Sequence, residues 1–72
     1  MEIIRNNNGT EYGIIDTDRD SGYSLLKGGG EYIVAWKLHE VGGLHEWEQG
    51  HYFNELSAAC NCFQRKTAPF DV

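Results

Sequence analysis

The residues with the widest chemical range in this chain are three histidines, His39, His45 and His51, followed by two cysteines, Cys60 and Cys62. Imidazole nitrogen and thiolate sulfur are the atoms zinc prefers, but zinc needs all its donors within about 2.0–2.3 Å of one point. The spacing argues against such a site. On one continuous strand His45 and His51 stand about 20 Å apart, at roughly 3.3 Å per residue. His39 takes the strand face opposite to His45, and Cys60 and Cys62 diverge by roughly 160° around a helix. The same divergence prevents a disulfide between the two cysteines. Reduced thiols fit a reducing compartment, and no metal or cofactor is expected.

A second candidate is Asp16-x-Asp18-x-Asp20-x-Gly22, whose alternating acids could bring oxygens around a hard cation. In a helix-flanked calcium loop a glycine is sixth and a bidentate glutamate twelfth, whereas Ser21 and Lys27 occupy those places here. A solvated turn, with aspartates capping local amides, is the reading the pattern supports. Nucleophilic chemistry is no better supported. Cys60 falls on the apolar stripe of a helix rather than at an activating helix N-terminus, and Ser21, Ser24 and Ser57 lack a nucleophile-elbow context. Gly28-Gly29-Gly30 joins two strands and has neither a following helix N-terminus nor a Lys-Ser/Thr pair, so it is not a phosphate loop. A small enzyme would need the three histidines to converge with an acid in one pocket.

The elements that position these groups read as strands followed by one helix. A β-branched run at 2–5 meets Asn6-Asn7-Asn8-Gly9, a hairpin signal, before a strand near 10–16 in which Gly13 marks a bulge. Strands follow near 22–27, 31–38 and 45–53. With Gly42-Gly43 as the central turn residues, Glu40 faces His45, His39 faces Glu46, Leu38 faces Trp47, Lys37 faces Glu48 and Ala35 faces Gly50. A slip by one residue destroys all of these pairs, so the register is specified. One face of this hairpin then carries Tyr32, Val34, Trp36, Leu38, Trp47, Gln49, His51 and Phe53; the other carries Ile33, Ala35, Lys37, Glu48, Gly50 and Tyr52.

Asn54 is a good N-cap for a helix near 54–66, with Glu55 in its first turn and Arg65 and Lys66 in its last, matching the helix dipole. Leu56, Ala59, Cys60 and Phe63 recur at i, i+3, i+4, i+7 as one buried stripe, and Cys62 points away from it. Pro69 stops the helix and leaves a tail at 67–72. The fold class is therefore α+β: a twisted antiparallel sheet of four to five strands with one C-terminal helix on one face, forming a single small domain over 1–72. The run WEQGHYFNELSAACNCF resembles small bacterial and mobile-element proteins that end in an aromatic strand and a short helix, and that resemblance assigns no residue a role.

Seventy-two residues lie near the lower limit for one unstapled core. The two tryptophans, four tyrosines and three phenylalanines are accordingly needed inside the monomer or an oligomer. Eleven acids against six scattered bases, a net charge of -5, disfavour phosphate contacts and direct nucleic-acid binding. No apolar run suits a signal sequence or a membrane span, and a cytoplasmic location is expected. The function class that remains is a small non-enzymatic module that binds another protein or a second copy of itself. An acidic inhibitor imitating nucleic acid is an alternative, with Glu46 and Glu48 alternating outward but partly neutralised by Lys37 and His39.

The larger apolar area lies with Trp36, Leu38, Trp47 and Phe53, so the helix is expected to cover that face. This leaves Ile33, Ala35, Gly50 and Tyr52, or the sheet edge beside them, as the candidate protein-binding face. If the faces are reversed, Trp36, Trp47 and His51 form the binding face instead.

Overall fold

A computed structural model describes residues 1–67 and shows an α+β fold. Its five-stranded antiparallel sheet runs in the order β1 (Glu2–Arg5), β2 (Glu11–Asp18), β3 (Tyr23–Gly28), β4 (Glu31–Trp36) and β7 (Gln49–Phe53). A separate two-stranded hairpin, β5 (His39–Val41) with β6 (Leu44–Glu46), is inserted between β4 and β7, and α1 (Leu56–Thr67) ends the described chain. No helix among the described residues is long and apolar enough to cross a membrane. The expected tail with Pro69 and Phe70 lies outside the described residues.

Turn chemistry sets the strand pairing. Asn6 Oδ1 accepts from the amides of Asn8 and Thr10 at 3.0 and 2.9 Å, closing the first hairpin as an Asx-type turn. Gly29-Gly30 and Gly42-Gly43 each supply two consecutive positive φ angles between paired strand ends. That is the two-residue turn whose twist matches the strands it joins. The bulge in β2 falls at Ile15, between the paired Ile14 and Asp16, rather than at Gly13. β2 also runs on to Asp18, so Asp16 and Asp18 are strand residues and not turn residues.

The long hairpin keeps the expected register on both sides of a break. Ala35 pairs with Gly50, His39 with Glu46 and Glu40 with His45, whereas Lys37–Leu38 and Trp47–Glu48 belong to neither ladder. Lys37 has φ 59°, a left-handed conformation that costs a side-chain-bearing residue roughly 1–2 kcal/mol. Three contacts hold it there. Its amide donates to Gly22 O at 2.8 Å, its carbonyl accepts from His39 Nδ1 at 2.7 Å, and its ammonium lies 4.6 Å from the Trp36 ring centroid. The expected continuous strands near 31–38 and 45–53 are each interrupted there.

The break changes which face receives which side chain. Leu38 and Trp47 pack with Ile4, Tyr12, Leu26, Ile33 and Ala35, on the side of the sheet away from the helix. Tyr12 and Trp47 meet edge to face at 5.5 Å. On the other side Leu25 and Val34 pack against Ala59, Cys62 and Phe63 of α1, flanked by Tyr23, Tyr32, Phe53 and Cys60. The molecule is thus three layers: helix, sheet and hairpin. The expectation that one helix-covered face holds Trp36, Leu38, Trp47 and Phe53 is corrected. The helix does cover the Tyr32, Val34 and Phe53 side, but Leu38 and Trp47 cross to the other.

The helix itself is rotated from its expected phase. Its buried residues are Ala59, Cys62 and Phe63, while Leu56 is 44% exposed. Glu55 O accepts from Ala59 N, so Glu55 holds the cap position and Asn54 precedes it. Arg65 and Lys66 do occupy the last turn. Since Cys62 is a core residue, Cys62→Ser is expected to cost about 1–3 kcal/mol by burying a hydroxyl in an apolar site. Cys60→Ser should cost less, because Cys60 is only partly buried. Urea denaturation of both variants measures the difference, and equal midpoints would contradict the observed helix phase.

Candidate interaction surface

The sequence-derived binding face is largely interior. Ile33 and Ala35 are 0% exposed, packed with Ile4, Tyr12, Leu38 and Trp47, so that face is not open as expected. Gly50 and Tyr52 of the same set lie on β7 at the margin of the sheet, where Tyr52 is 54% exposed. The alternative set is divided. Trp36 is half-buried beside Tyr23 at 6.4 Å, on the helix side of the sheet, and Trp47 is half-buried on the hairpin side. His51 is exposed on β7 opposite Val34. The two tryptophans therefore form no common platform.

What the structure does bring together is a cluster around Gly50. The Trp47 indole Nε1 donates to the Tyr52 hydroxyl at 3.2 Å. Both atoms lie over Gly50: a Cβ placed there would stand 2.9 Å from each. Glycine at position 50 lets the two rings close over the strand, and this locks the margin of the hairpin layer onto β7. Tyr12 sits inside this layer, where burial, and secondarily Glu31 and Tyr52, push its phenol above its ordinary pKa. Tyr12 therefore remains a neutral hydroxyl at physiological pH, and it accepts from Asn6 Nδ2 at 3.5 Å.

The backbone of β7 completes the surface. The Lys37 amide bonds to Gly22 O, which makes Gly22 and Lys37 a hydrogen-bonded pair continuing the β3–β4 ladder. By the alternation of an antiparallel ladder, Ile33 and Ala35 then bond toward β3, and Tyr32, Val34 and Trp36 toward β7. On β7, Gln49, His51 and Phe53 turn their backbone groups inward to β4, while Gly50 and Tyr52 turn theirs outward. Among the described residues those outward groups meet no partner.

The histidines do not converge. His39 Nδ1 meets the Lys37 carbonyl and His39 Nε2 lies 3.3 Å from Glu46 Oε1. Since both partners are acceptors, both ring nitrogens must carry hydrogen, which favours the imidazolium. The Lys37 carbonyl, and then Glu46, accordingly raise the His39 pKa. His45 Nδ1 is buried without a partner, against the Asn6 turn. Glu46 also accepts from Asn7 Nδ2 at 3.4 Å, so it is not the free outward acid that imitation of nucleic acid requires. Among the described residues no three of His, Cys, Asp and Glu gather as metal ligands.

A groove of about 640 Å³ lies where the helix leaves the sheet uncovered, with Ile3, Gly13, Lys27, Tyr32 and Asn54 in its wall. It contains no histidine, cysteine or serine, and Glu11 on its rim is held by Arg5 at 2.6 Å. The sheet edge beside the Ile33–Tyr52 face has one mark in the sequence: no Asp, Glu, Lys or Arg occurs in Gln49–Phe53.

The His39 pair gives the hairpin a pH dependence of defined sign. With its folded-state pKa raised, protonated His39 supports the hairpin fully below its unfolded value, near 6.5, and that support is lost as pH rises through the folded value. The His39 ring should titrate above free histidine in NMR. Exchange of the Val41 and Leu44 amides should speed up with pH beyond the intrinsic trend, and His39→Gln should abolish the excess. A midpoint at or below that of free histidine would refute the assignment.

Comparison of the chain with protein-family models, with curated protein sequences and with solved structures finds no match.

Proposed function

We propose that this chain is a small non-enzymatic protein-interaction module of the cytoplasm that docks its partner along the edge of β7. One observation carries the reading. β7 ends the sheet with the backbone groups of Gly50 and Tyr52 directed outward, beside an exposed Tyr52 ring and with no charged side chain along the strand. Unpaired strand edges recruit extended segments through main-chain hydrogen bonds, and neighbouring aromatic side chains supply specificity. Tyr52 is already held by Trp47, so less side-chain entropy is lost when a partner covers it. The free thiols of Cys60 and Cys62 agree with a reducing compartment. A net charge of -5 makes nucleic acid a poor partner.

The test is photocrosslinking in a cellular extract, with a photoreactive phenylalanine at exposed Gln49 on β7 or, for comparison, at exposed Asp20 in the β2–β3 turn. Adducts should form from position 49 and not from position 20. Adding His51→Lys to the photoreactive chain itself should abolish the adducts from position 49. Equal adducts from both positions, or adducts unaffected by His51→Lys, would refute the reading.

A further inference from the structure

The two edges of the five-stranded sheet differ. β1 carries Glu2 and Arg5, its Arg5 is paired with Glu11, and the next residue, Asn6, is bridged to His45 of β6. Charges and covering segments of this kind keep a strand edge from pairing with another chain. β7, Gln-Gly-His-Tyr-Phe, has neither, and it is the one strand among the described residues without Asp, Glu, Lys or Arg.

From this we infer that the occupant of the β7 edge is β7 of a second copy, paired antiparallel about a two-fold axis at His51. The inference rests on the reading of β7 as a docking edge and adds the identity and register of the partner. A two-fold axis relating antiparallel strands stands perpendicular to the sheet, so each face continues across it and opposite residues must share a face. Centring on His51 sets Gly50 opposite Tyr52 of the partner copy, Gln49 opposite Phe53 and Glu48 opposite Asn54.

This register matches the two outward residues of each strand with each other, so Gly50 and Tyr52 form two reciprocal pairs with four backbone hydrogen bonds. Centring on Gly50 or on Tyr52 instead leaves one outward residue facing Glu48 or Asn54, outside the strand. On the hairpin face each Tyr52 ring, leaning over its own Gly50, comes beside the other ring across the axis. Self-pairing also suits the charge. Two chains of -5 repel, yet none of the five residues of each paired strand is an acid, and Glu48 and Glu55 lie beyond the strand ends. Pairing one short strand makes a small interface, below about 1,200 Å² in total, and so a reversible dimer with micromolar rather than nanomolar affinity.

Sedimentation equilibrium of the wild-type chain, up to about 1 mM, should show a monomer–dimer equilibrium. His51→Lys sets like charges across the axis and Gln49→Lys guards the same edge. Each should weaken association at least about tenfold while native circular dichroism is retained. Ile3→Lys on the exposed β1 edge should dimerise like wild type. Amide exchange at Gly50 and Tyr52 should slow with concentration. A wild-type chain that stays monomeric throughout, while position 49 still crosslinks to a different protein, would overturn the second-copy inference and leave the docking edge standing. A dimer dissociated by Ile3→Lys and indifferent to both β7 lysines would overturn the second-copy inference, and, where position 49 also gives no more adducts than position 20, the docking edge with it.

Discussion

Phe63→Ala is expected to leave the chain unfolded, or nearly so, at room temperature. Phe63 is 8% exposed and lies with Ala59 and Cys62 on the helix face that meets Leu25 and Val34. Truncating a buried phenylalanine costs about 3–5 kcal/mol through lost transfer energy and the cavity left behind. A domain of this size has a total stability of about the same magnitude. Far-ultraviolet circular dichroism and one-dimensional NMR measure the outcome: a collapsed chemical-shift dispersion is expected. A cooperative thermal transition near that of wild type would mean that the helix contributes little to the core and that the sheet is held from its other side.

Trp47→Ala tests that other side. The indole closes the hairpin over Ile33 and Ala35, meets Tyr12 edge to face and donates to Tyr52. Because Trp47 is only half-buried, the cost should lie at about 2–3 kcal/mol, below the range for a fully enclosed tryptophan. The consequence is specific to the layer arrangement. The hairpin strands β5 and β6 should exchange their amides faster than β3 and β4, and the freed face should bind an apolar dye. Uniform loss across the chain would show that the hairpin is not a separable lid.

Much of the architecture was legible in the chain because it depends on local chemistry. Gly42-Gly43 can take two consecutive positive φ angles, and that turn, with the opposed charges of His39 and Glu46, dictated the register found on both sides of the break. The glycine turn after β3 and the Asn-rich turn after β1 set the antiparallel order in the same way. The unbroken apolar run Tyr32–Trp36 and the cationic last turn of α1 identified a sheet followed by a helix.

Which face receives which ring was decided only by tertiary structure. Lys37 has no sequence signal for φ 59°. It adopts that angle because Gly22 O, His39 and the Trp36 ring hold it, and these come from the β2–β3 turn, the hairpin beyond and the preceding residue. Once the strand breaks there, strict two-residue alternation no longer carries from Trp36 to Leu38 or from Trp47 to Gln49. Trp47 therefore goes to the face opposite the one alternation assigns, and Ile33 and Ala35 become interior. The helix phase shifted for a related reason. Leu56 and Cys60 are as apolar as Cys62, and only the position of Leu25 and Val34 beneath the helix selects Cys62 and Phe63 for burial. Apolar periodicity measures which residues can be buried; the surface they meet determines which ones are.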